Sequence, residues 1–267
     1  MKGVKENSYY IIGMGNIGKI LVQRLLQVGV NKDHIKVTDI DSTRVENISS
    51  GFGVKALAIE SAGVGEMDVI IVAAGPKAVP DILKTIDGSL KAGQVVISMA
   101  AAVPLSLMRK LVSKPVSIVR ILPNPPSLVG KGMNPVSFEP FEKAGVKEMV
   151  KDFLAVLGDT IEVDDEMMTW SVGLTGAALR TIFPVMDGMI RAGVEAGLSP
   201  EDSRRVAAQI FNGVSALALE TELSLEQIHN MTPMQTLDET AVSELFLETA
   251  RITRQKVEAT QASIIDQ

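Results

Sequence analysis

The 267-residue chain contains no cysteine and only two histidines, His34 and His229. Without cysteine there is no disulfide, no thiolate nucleophile and no thiolate metal site. Two histidines are too few for a histidine-rich metal centre, so we expect no bound metal. The composition therefore excludes several classes of catalytic site before any motif is considered.

Positive charge and long apolar runs are also scarce. The net charge is −6 without a dense basic run, which argues against nucleic acid or an acidic membrane surface as a partner. The first apolar stretch is the short Tyr9–Ile12 after a polar leader, so we expect neither a signal peptide nor a membrane span, and a cytoplasmic protein. Hydrophobic residues still make up 46% of the chain, and its length suits two domains.

What the chain does contain is an apolar strand, Tyr9–Ile12, that runs into the GxGxxG pattern of residues 13–18 and then into a helix. A second strand is predicted over Ile35–Thr38. It ends in Asp39, roughly 20 residues past the last glycine, where a dinucleotide-binding fold places its ribose-binding acid. The alternative is a plain strand-to-helix turn that binds no ligand.

Each glycine of this turn has a predicted role. Gly13 permits the tight bend, Gly15 lets the backbone approach a diphosphate, and Gly18 allows the helix to pack closely on the strand. The diphosphate would lie on the free N–H groups at the start of the helix. The predicted contacts are Gly13, Met14, Gly15, Asn16, Ile17 and Gly18.

Asp39 bears on the choice of coenzyme. A carboxylate accepts hydrogen bonds from a free ribose 2′-hydroxyl but repels a 2′-phosphate. We therefore predict NAD(P)H as the cofactor, with NADH slightly favoured. The cations Lys36 and Arg44 are close enough in sequence to weaken that preference.

Further apolar runs predict the rest of a parallel sheet with both faces covered. Strands are predicted at Lys55–Ala56 and at residues 68–74, 94–98, 116–122, 134–138 and 160–163. Loops at the carboxyl edge of such a sheet bind ligands. They supply the further predicted cofactor contacts Ala74, Gly75, Pro76, Ala100, Ala101 and Asn124. For Asn124, a rigid proline-rich surface turn is an equal alternative.

From Asp164 the sequence predicts nearly continuous helix. We therefore predict an α/β protein with an N-terminal Rossmann-type, doubly wound domain at 1–163 and an all-α domain at 164–267. Residues 167–198 are apolar on most faces, and a domain this small can bury such a helix only against a second subunit, which predicts a homodimer through the C-terminal helices. Ser199 caps a new helix that runs to about residue 222, and a last helix is predicted from about 234 to about 258.

Together these stretches resemble the pyrroline-5-carboxylate reductase family over nearly the whole chain. The resemblance implies NAD(P)H-dependent reduction of a cyclic imino acid, 1-pyrroline-5-carboxylate, to L-proline. It also implies a helical domain that interlocks with its twin in a dimer or a higher oligomer. The matching motifs are residues 12–18, 68–73 with Pro76, 100–103, 123–126, 129–132 and 192–198.

Two departures lie where the family handles substrate. The family's Ser-Pro-Gly-Gly-Thr-Thr loop, which holds the carboxylate and ring nitrogen, corresponds to residues 232–237. Thr236 is retained, whereas Met234 and Gln235 replace both glycines and put side chains before the bare amides. Arg180 is predicted to compensate by clamping a carboxylate; the alternative is an exposed or ion-paired helix arginine.

The second departure is the family's Ser-Gly-Ser-Gly-Pro-Ala-Tyr motif, which corresponds to residues 173–179. From the resemblance we predict the substrate contacts Thr175, Gly176, Met234, Gln235 and Thr236, and Arg180 is added as the compensating cation. We predict Thr236 and Thr175 as the catalytic polar contacts, with Glu220 as a proton-side or ordering group. Ordinary turn threonines and a solvated helix-end acid are the alternatives. His229 is either a proton donor or a solvated loop residue.

Two other functions stay open. The first is a reductase of the same fold that acts on a different imine or keto substrate. A β-hydroxyacid dehydrogenase is disfavoured, because the long helix offers Arg180 where that class uses a lysine acid/base. The second is a catalytically silent cofactor-binding paralogue, as an intact glycine turn beside an altered substrate loop suggests.

Overall fold

The computed structural model describes residues 2–60, 62–234 and 236–266. The chain divides into two compact units. Unit 1 comprises Met1–Gly176 with Arg251–Gln267, and unit 2 comprises Ala177–Ala250. The domain boundary expected after residue 163 stays a prediction.

Unit 1 contains one eight-stranded sheet. Its strands are β1 (Tyr9–Ile12), β2 (Ile35–Thr38), β3 (Lys55–Ala56), β4 (Val69–Val72), β5 (Val95–Ser98), β6 (Ser117–Ile121), β7 (Gly132–Phe138) and β8 (Gly158–Glu162). Their order is β3-β2-β1-β4-β5-β6-β7-β8. Every pairing from β3 to β6 is parallel, β7 runs antiparallel to β6, and β8 pairs parallel with β7. The predicted mostly parallel sheet is confirmed.

Helices precede, connect and follow these strands. They are α1 (Lys2–Glu6), α2 (Asn16–Gln27), α3 (Ser42–Phe52), α4 (Val79–Asp87), α5 (Leu105–Leu111), α6 (Ala144–Ala155) and α7 (Met168–Ser171). A π-helical turn follows at Val172–Ala177, and short 3-10 turns lie at Pro76–Ala78, Pro125–Val129 and Asp165–Met167. Helices α1 and α5 were not predicted.

The central strand β1 is buried on both faces of the sheet. Tyr9 and Ile11 belong to one apolar cluster, and Tyr10 and Ile12 belong to another, as the alternation of side chains in a strand requires. Tyr9 stacks on Phe153 of α6 with ring centroids 5.9 Å apart. Packing on both faces fixes the carboxyl end of β1, where the glycine turn begins.

Unit 2 is helical. It contains α8 (Ala178–Glu195), α9 (Pro200–Glu220), α10 (Leu225–His229) and the first part of α11 (Glu239–Ile265). The predicted start of α9 is confirmed, because the Ser199 hydroxyl accepts a hydrogen bond from the Asp202 amide at 3.0 Å. Helices α8 and α9 pack closely at Gly193, where an added Cβ would lie 2.7 Å from Ser203 Oγ.

Two predicted helices have wrong bounds, and one helix was not predicted. The predicted helix 167–198 is interrupted by the π-helical turn and ends at Glu195, just before Gly197 at φ +97°. Helix α10 was not predicted. The last helix begins at Glu239 rather than near 234, because the Asp238 carboxylate accepts from the Ala241 amide and so caps it.

The last helix also extends past the predicted end near residue 258 to Ile265. Its final turns belong to unit 1, where Val257 and Ile264 pack into the cluster that contains Tyr10. Burial against the sheet therefore keeps this segment helical, a tertiary effect that local sequence does not reveal. Among the described residues, no helix is long and apolar enough to span a bilayer.

Candidate functional site

The carboxyl ends of three neighbouring parallel strands, β2, β1 and β4, open onto a cavity of about 510 Å³ in unit 1. Its walls combine bare backbone, isoleucine side chains and a carboxylate, as is typical of a cofactor pocket at this edge of a sheet. The lining includes the predicted cofactor residues Gly13, Gly15, Asp39, Ala74 and Gly75. The isoleucines are Ile12, Ile40, Ile59 and Ile82.

The three glycines of the turn differ in what surrounds them. Gly13 has a φ of +105°, and an added Cβ would lie 2.8 Å from the Ala73 carbonyl carbon. A Cβ on Gly18 would overlap the carbonyl oxygen of Gly13, whereas nothing lies within 4 Å of a Cβ on Gly15. The fold itself therefore requires Gly13 and Gly18, and Gly15 presents an open backbone.

The N-terminus of α2 offers free backbone donors next to that open glycine. The helix begins at Asn16, and no side chain caps it. Uncapped first-turn N–H groups at the positive end of a helix favour an anion. Among the predicted contacts, Asn16 is exposed, Ile17 is half-buried and Met14 is buried. These features fit the diphosphate of a dinucleotide; the individual contacts stay predictions.

The carboxylate of Asp39 is already hydrogen-bonded to the backbone around the cavity. Its Oδ2 accepts from the Met14 amide at 2.6 Å, and its Oδ1 accepts from the Asp41 amide at 2.9 Å. The side chain is 7% exposed. A carboxylate oxygen can accept two hydrogen bonds, so this arrangement orients Asp39 and leaves acceptor capacity for a ribose hydroxyl.

Arg44, on the first turn of α3, also lines the cavity. Its Nε lies 3.2 Å from Asp41 Oδ2, and its Nη1 lies 4.0 Å from Asp39 Oδ2. The guanidinium is therefore shared between two carboxylates. Its positive charge partly offsets theirs, as the sequence indicated.

The next loop along the sheet edge, after β5, holds the predicted contacts Ala100 and Ala101. Ala100 is buried, and the carbonyl oxygen of Ala101 accepts a hydrogen bond from Arg120 Nη2. Arg120 is 1% exposed and also pairs with Asp165 through Nη1. Burial lowers the pKa of the Arg120 guanidinium below its ordinary value, and the Asp165 charge opposes that shift.

Sequence reasoning did not single out Arg120 or Asp165. The available signal was a lone arginine in the otherwise apolar run of β6, since a buried charge requires a partner. Its partner Asp165 lies 45 positions away, so the pair is visible only in the fold.

Asn124 brings a predicted cofactor residue next to a predicted substrate residue. Its Nδ2 donates to the carbonyl oxygen of Thr175 at 2.8 Å, and its Oδ1 accepts from the Met133 amide at 3.2 Å. The Thr175 hydroxyl donates to the Ser171 carbonyl at 2.8 Å. Thr175 and the half-buried Gly176 lie in the π-helical turn, a geometry often found at functional sites.

The remaining predicted site residues belong to unit 2 or lie outside the described residues. Arg180, Met234 and Thr236 are exposed there. Glu220 is exposed at the end of α9, and Gln235 lies outside the described residues. His229 Nε2 lies 2.8 Å from Glu239 Oε2, so this ring is hydrogen-bonded within unit 2. The predicted roles of these residues stay predictions.

An apolar groove of about 670 Å³ runs along α9 in unit 2, and Glu220 lies at one end of it. Its side chains include Ile210 and Val214, which are 53% and 56% exposed. Exposed apolar rows at helical spacing mark protein interfaces. Within the described part of the chain, no group of three or more acidic, histidine or cysteine side chains could hold a metal.

The glycine turn, the sheet and the cavity at its edge define a dinucleotide-binding protein with a second, helical unit. Residues 8–102 match the family model described as NADP oxidoreductase coenzyme F420-dependent, and residues 165–262 match the model described as pyrroline-5-carboxylate reductase dimerisation. Over 214 residues the chain is 32% identical to the pyrroline-5-carboxylate reductase of Corynebacterium melassecola, covering 79% of each protein. The chain belongs to the pyrroline-5-carboxylate reductase family.

Other similar proteins support the same family assignment. The Escherichia coli pyrroline-5-carboxylate reductase is 28% identical over 221 residues, which cover 81% of both chains. The fold is similar to that of the Coxiella burnetii enzyme, with a TM-score of 0.80 at 24% identity over 95% of this chain and 98% of that one. The Plasmodium falciparum enzyme with NADP bound has a TM-score of 0.82 at 17% identity, over 96% of this chain and 99% of that one.

We predict that Gly15→Ala and Gly18→Ala separate ligand binding from folding. Gly15→Ala should leave the thermal unfolding midpoint nearly unchanged but weaken calorimetric binding of NADH or NADPH by about tenfold or more, because the methyl group would cover the open backbone. Gly18→Ala should reduce the free energy of unfolding by about 2 kcal/mol or more, since its methyl group meets the Gly13 carbonyl. Unchanged coenzyme affinity in Gly15→Ala would contradict the predicted diphosphate position.

Proposed function

We propose that this chain reduces 1-pyrroline-5-carboxylate to L-proline with NAD(P)H. The observation that carries the proposal is the 32% identity to the Corynebacterium melassecola reductase over 79% of both chains. The open glycine turn and the adjoining cavity support it, because coenzyme binding is the main requirement for reducing an imine and acid–base catalysis is secondary.

When bound, the nicotinamide coenzyme supplies the hydride that reduces the C=N bond. The residues of the chain have the tasks of binding and orientation. The uncapped amides around Gly15 and Asn16 hold the diphosphate, and Asp39 accepts from the ribose. Small side chains at Ala100 and Ala101 let a flat ring lie against backbone.

The residues that we assign to the substrate lie between positions 175 and 236 of the chain. Thr175 and Thr236 hydrogen-bond the imino acid, beside Gly176, Met234 and Gln235. Arg180 binds its carboxylate, and Glu220 orders the side on which the ring nitrogen takes up a proton. Scarcity of histidine and cysteine is no obstacle, since a protonated imine accepts hydride without nucleophilic catalysis.

The protein assembles as a homodimer through its C-terminal helices, either alone or within a higher oligomer, and works in the cytoplasm. The apolar row of α9 supports this assembly: Val206, Ile210 and Val214 are each about half exposed and lie four residues apart on one face. A second copy of this chain would cover that row.

The first test measures oxidation of NADH and of NADPH with pyrroline-5-carboxylate. Turnover is expected with both coenzymes, with the larger kcat/KM for NADH. If only other cyclic imines or keto acids are reduced, the substrate assignment is wrong. The second candidate function, a reductase of the same fold with a different substrate, is favoured by Met234 in place of a glycine. Coenzyme binding without turnover on any substrate would indicate the catalytically silent paralogue.

The coenzyme preference is expected to depend on the charge of Asp39. In Asp39→Asn the ratio of kcat/KM for NADH to that for NADPH should fall by about tenfold, because the repulsion of a 2′-phosphate is removed. The ratio is the readout, since lost hydrogen bonds to Met14 weaken both coenzymes together. The control is Asp33→Asn. Asp33 precedes β2 and pairs with Lys55, and loss of its charge should leave the ratio unchanged. An unchanged ratio in Asp39→Asn contradicts the proposed preference.

Arg180 is expected to act on the substrate rather than on the coenzyme. Arg180→Ala should raise KM for pyrroline-5-carboxylate by about tenfold, through loss of a charge-assisted hydrogen bond, without changing KM for the coenzyme. The matched control is Arg191→Ala on the same helix, whose guanidinium pairs with Asp187 at 3.0 Å. If both variants keep the wild-type KM, the carboxylate is held elsewhere.

A further inference from the structure

Arg120 is a fully buried arginine at the heart of unit 1, and the fold alone does not account for it. Its side chain is 1% exposed on β6, where the neighbouring positions are apolar. Its Nε finds no acceptor among the described residues, so the two amino groups provide all of its hydrogen bonds. A buried charge of this kind is costly, and well-packed apolar residues often stabilise a fold as well or better.

The two amino groups of Arg120 reach two different segments. Nη2 donates to the Ala101 carbonyl, in the loop between β5 and α5. Nη1 donates to the Asp165 carboxylate and also lies 3.3 Å from the Asp165 carbonyl oxygen, at the turn that leads into α7. The guanidinium therefore connects the loop after β5 to the start of the helical segment.

Asp165 extends this connection to the far end of the same loop. Its Oδ2 accepts from the Leu105 amide at 2.9 Å, at the first residue of α5. The near end is fixed by the Met99 amide, which donates to the Val72 carbonyl of β4 at 3.0 Å. The loop 99–105 is therefore held at both ends and, through Arg120, in its middle.

We propose that Arg120, with Asp165, is a positioning pair that holds the loop 99–105 in the shape that receives the nicotinamide half of the coenzyme. This inference rests on the proposed function, which puts the nicotinamide against Ala100 and Ala101. The planar fork of arginine suits the task, because it bonds a carbonyl and a carboxylate at once.

The test compares two ligands, NADH and ADP-ribose, the latter being the same molecule without its nicotinamide ring. Arg120→Met keeps an apolar stem of similar length but releases the loop. NADH should bind about tenfold more weakly and kcat should fall by about tenfold, as expected for a lost charge-assisted anchor. Affinity for ADP-ribose, which the glycine turn and Asp39 hold, should stay within about twofold of wild type.

Arg109→Met is the matched control. Arg109 also pairs with a carboxylate, Glu139, at 2.5 Å, and donates to the carbonyl oxygens of Lys114 and Val116. It reaches no part of the loop 99–105 through these bonds. Its replacement should lower the thermal midpoint while leaving the ratio of the two ligand affinities and kcat unchanged.

Should Arg120→Met fail to fold, Asp165→Asn carries the test, since that side chain is 26% exposed. The same split between NADH and ADP-ribose is expected in a milder form, and Arg120→Lys, which keeps the charge but forms only part of the fork, should restore part of the NADH affinity. An Arg120→Met protein that loses both ligands equally, or loses stability alone, overturns the proposal.

Failure of the proposed reaction is distinguishable from failure of this inference. If wild-type protein binds NADH but does not reduce pyrroline-5-carboxylate, the proposed substrate is wrong. The ratio of NADH to ADP-ribose affinity still tests the role of Arg120 in positioning the loop 99–105. If wild-type protein binds neither ligand, both proposals fall.

Discussion

The close approach of α2 to β1 is the contact on which the site depends. The backbone of α2 reaches the turn after β1 only because Gly18 has no Cβ to meet the Gly13 carbonyl. That approach points the uncapped start of α2 at the carboxyl edge of the sheet. The amide of Met14, in the same turn, is then in place to bind Asp39 at the end of β2. One steric constraint thus sets the position of both the uncapped helix end and the Asp39 carboxylate at the cavity.

Much of unit 1 was predictable because its signals are local. The bounds of β1, β2 and β3 agree with the predicted ones. In unit 2, the cap at Ser199 likewise lies where the sequence indicates. The end of α11 was predicted wrongly because a distant partner decides it. The last turns of α11 stay helical because Ile264 packs against the sheet, and no pattern near residue 258 reveals that.

The same distinction between local signals and distant partners applies to the candidate site. The glycine turn was predictable because every feature it needs lies within one crossover of about 30 residues. The hydrogen bonds from Arg120 to Asp165 and from Asn124 to Thr175 span 45 and 51 positions. A lone arginine or asparagine in the sequence does not indicate which distant residue it will bind. The roles of Arg180 and Thr236 in unit 2 stay predictions.

Three polar side chains of unit 1, Asp39, Asn124 and Arg120, share one property: each is hydrogen-bonded to the backbone before any ligand arrives. Asp39 accepts from two amides, Asn124 bridges an amide and a carbonyl, and Arg120 donates to the Ala101 carbonyl. A free side chain loses rotamer entropy when it binds, whereas these groups have already lost theirs on folding. For a reaction that asks for alignment more than for acid–base strength, orientation fixed in advance is the larger contribution. The buried Arg120 is then understandable as a positioning residue, since a buried ion pair is by itself weak evidence of a stabilising role.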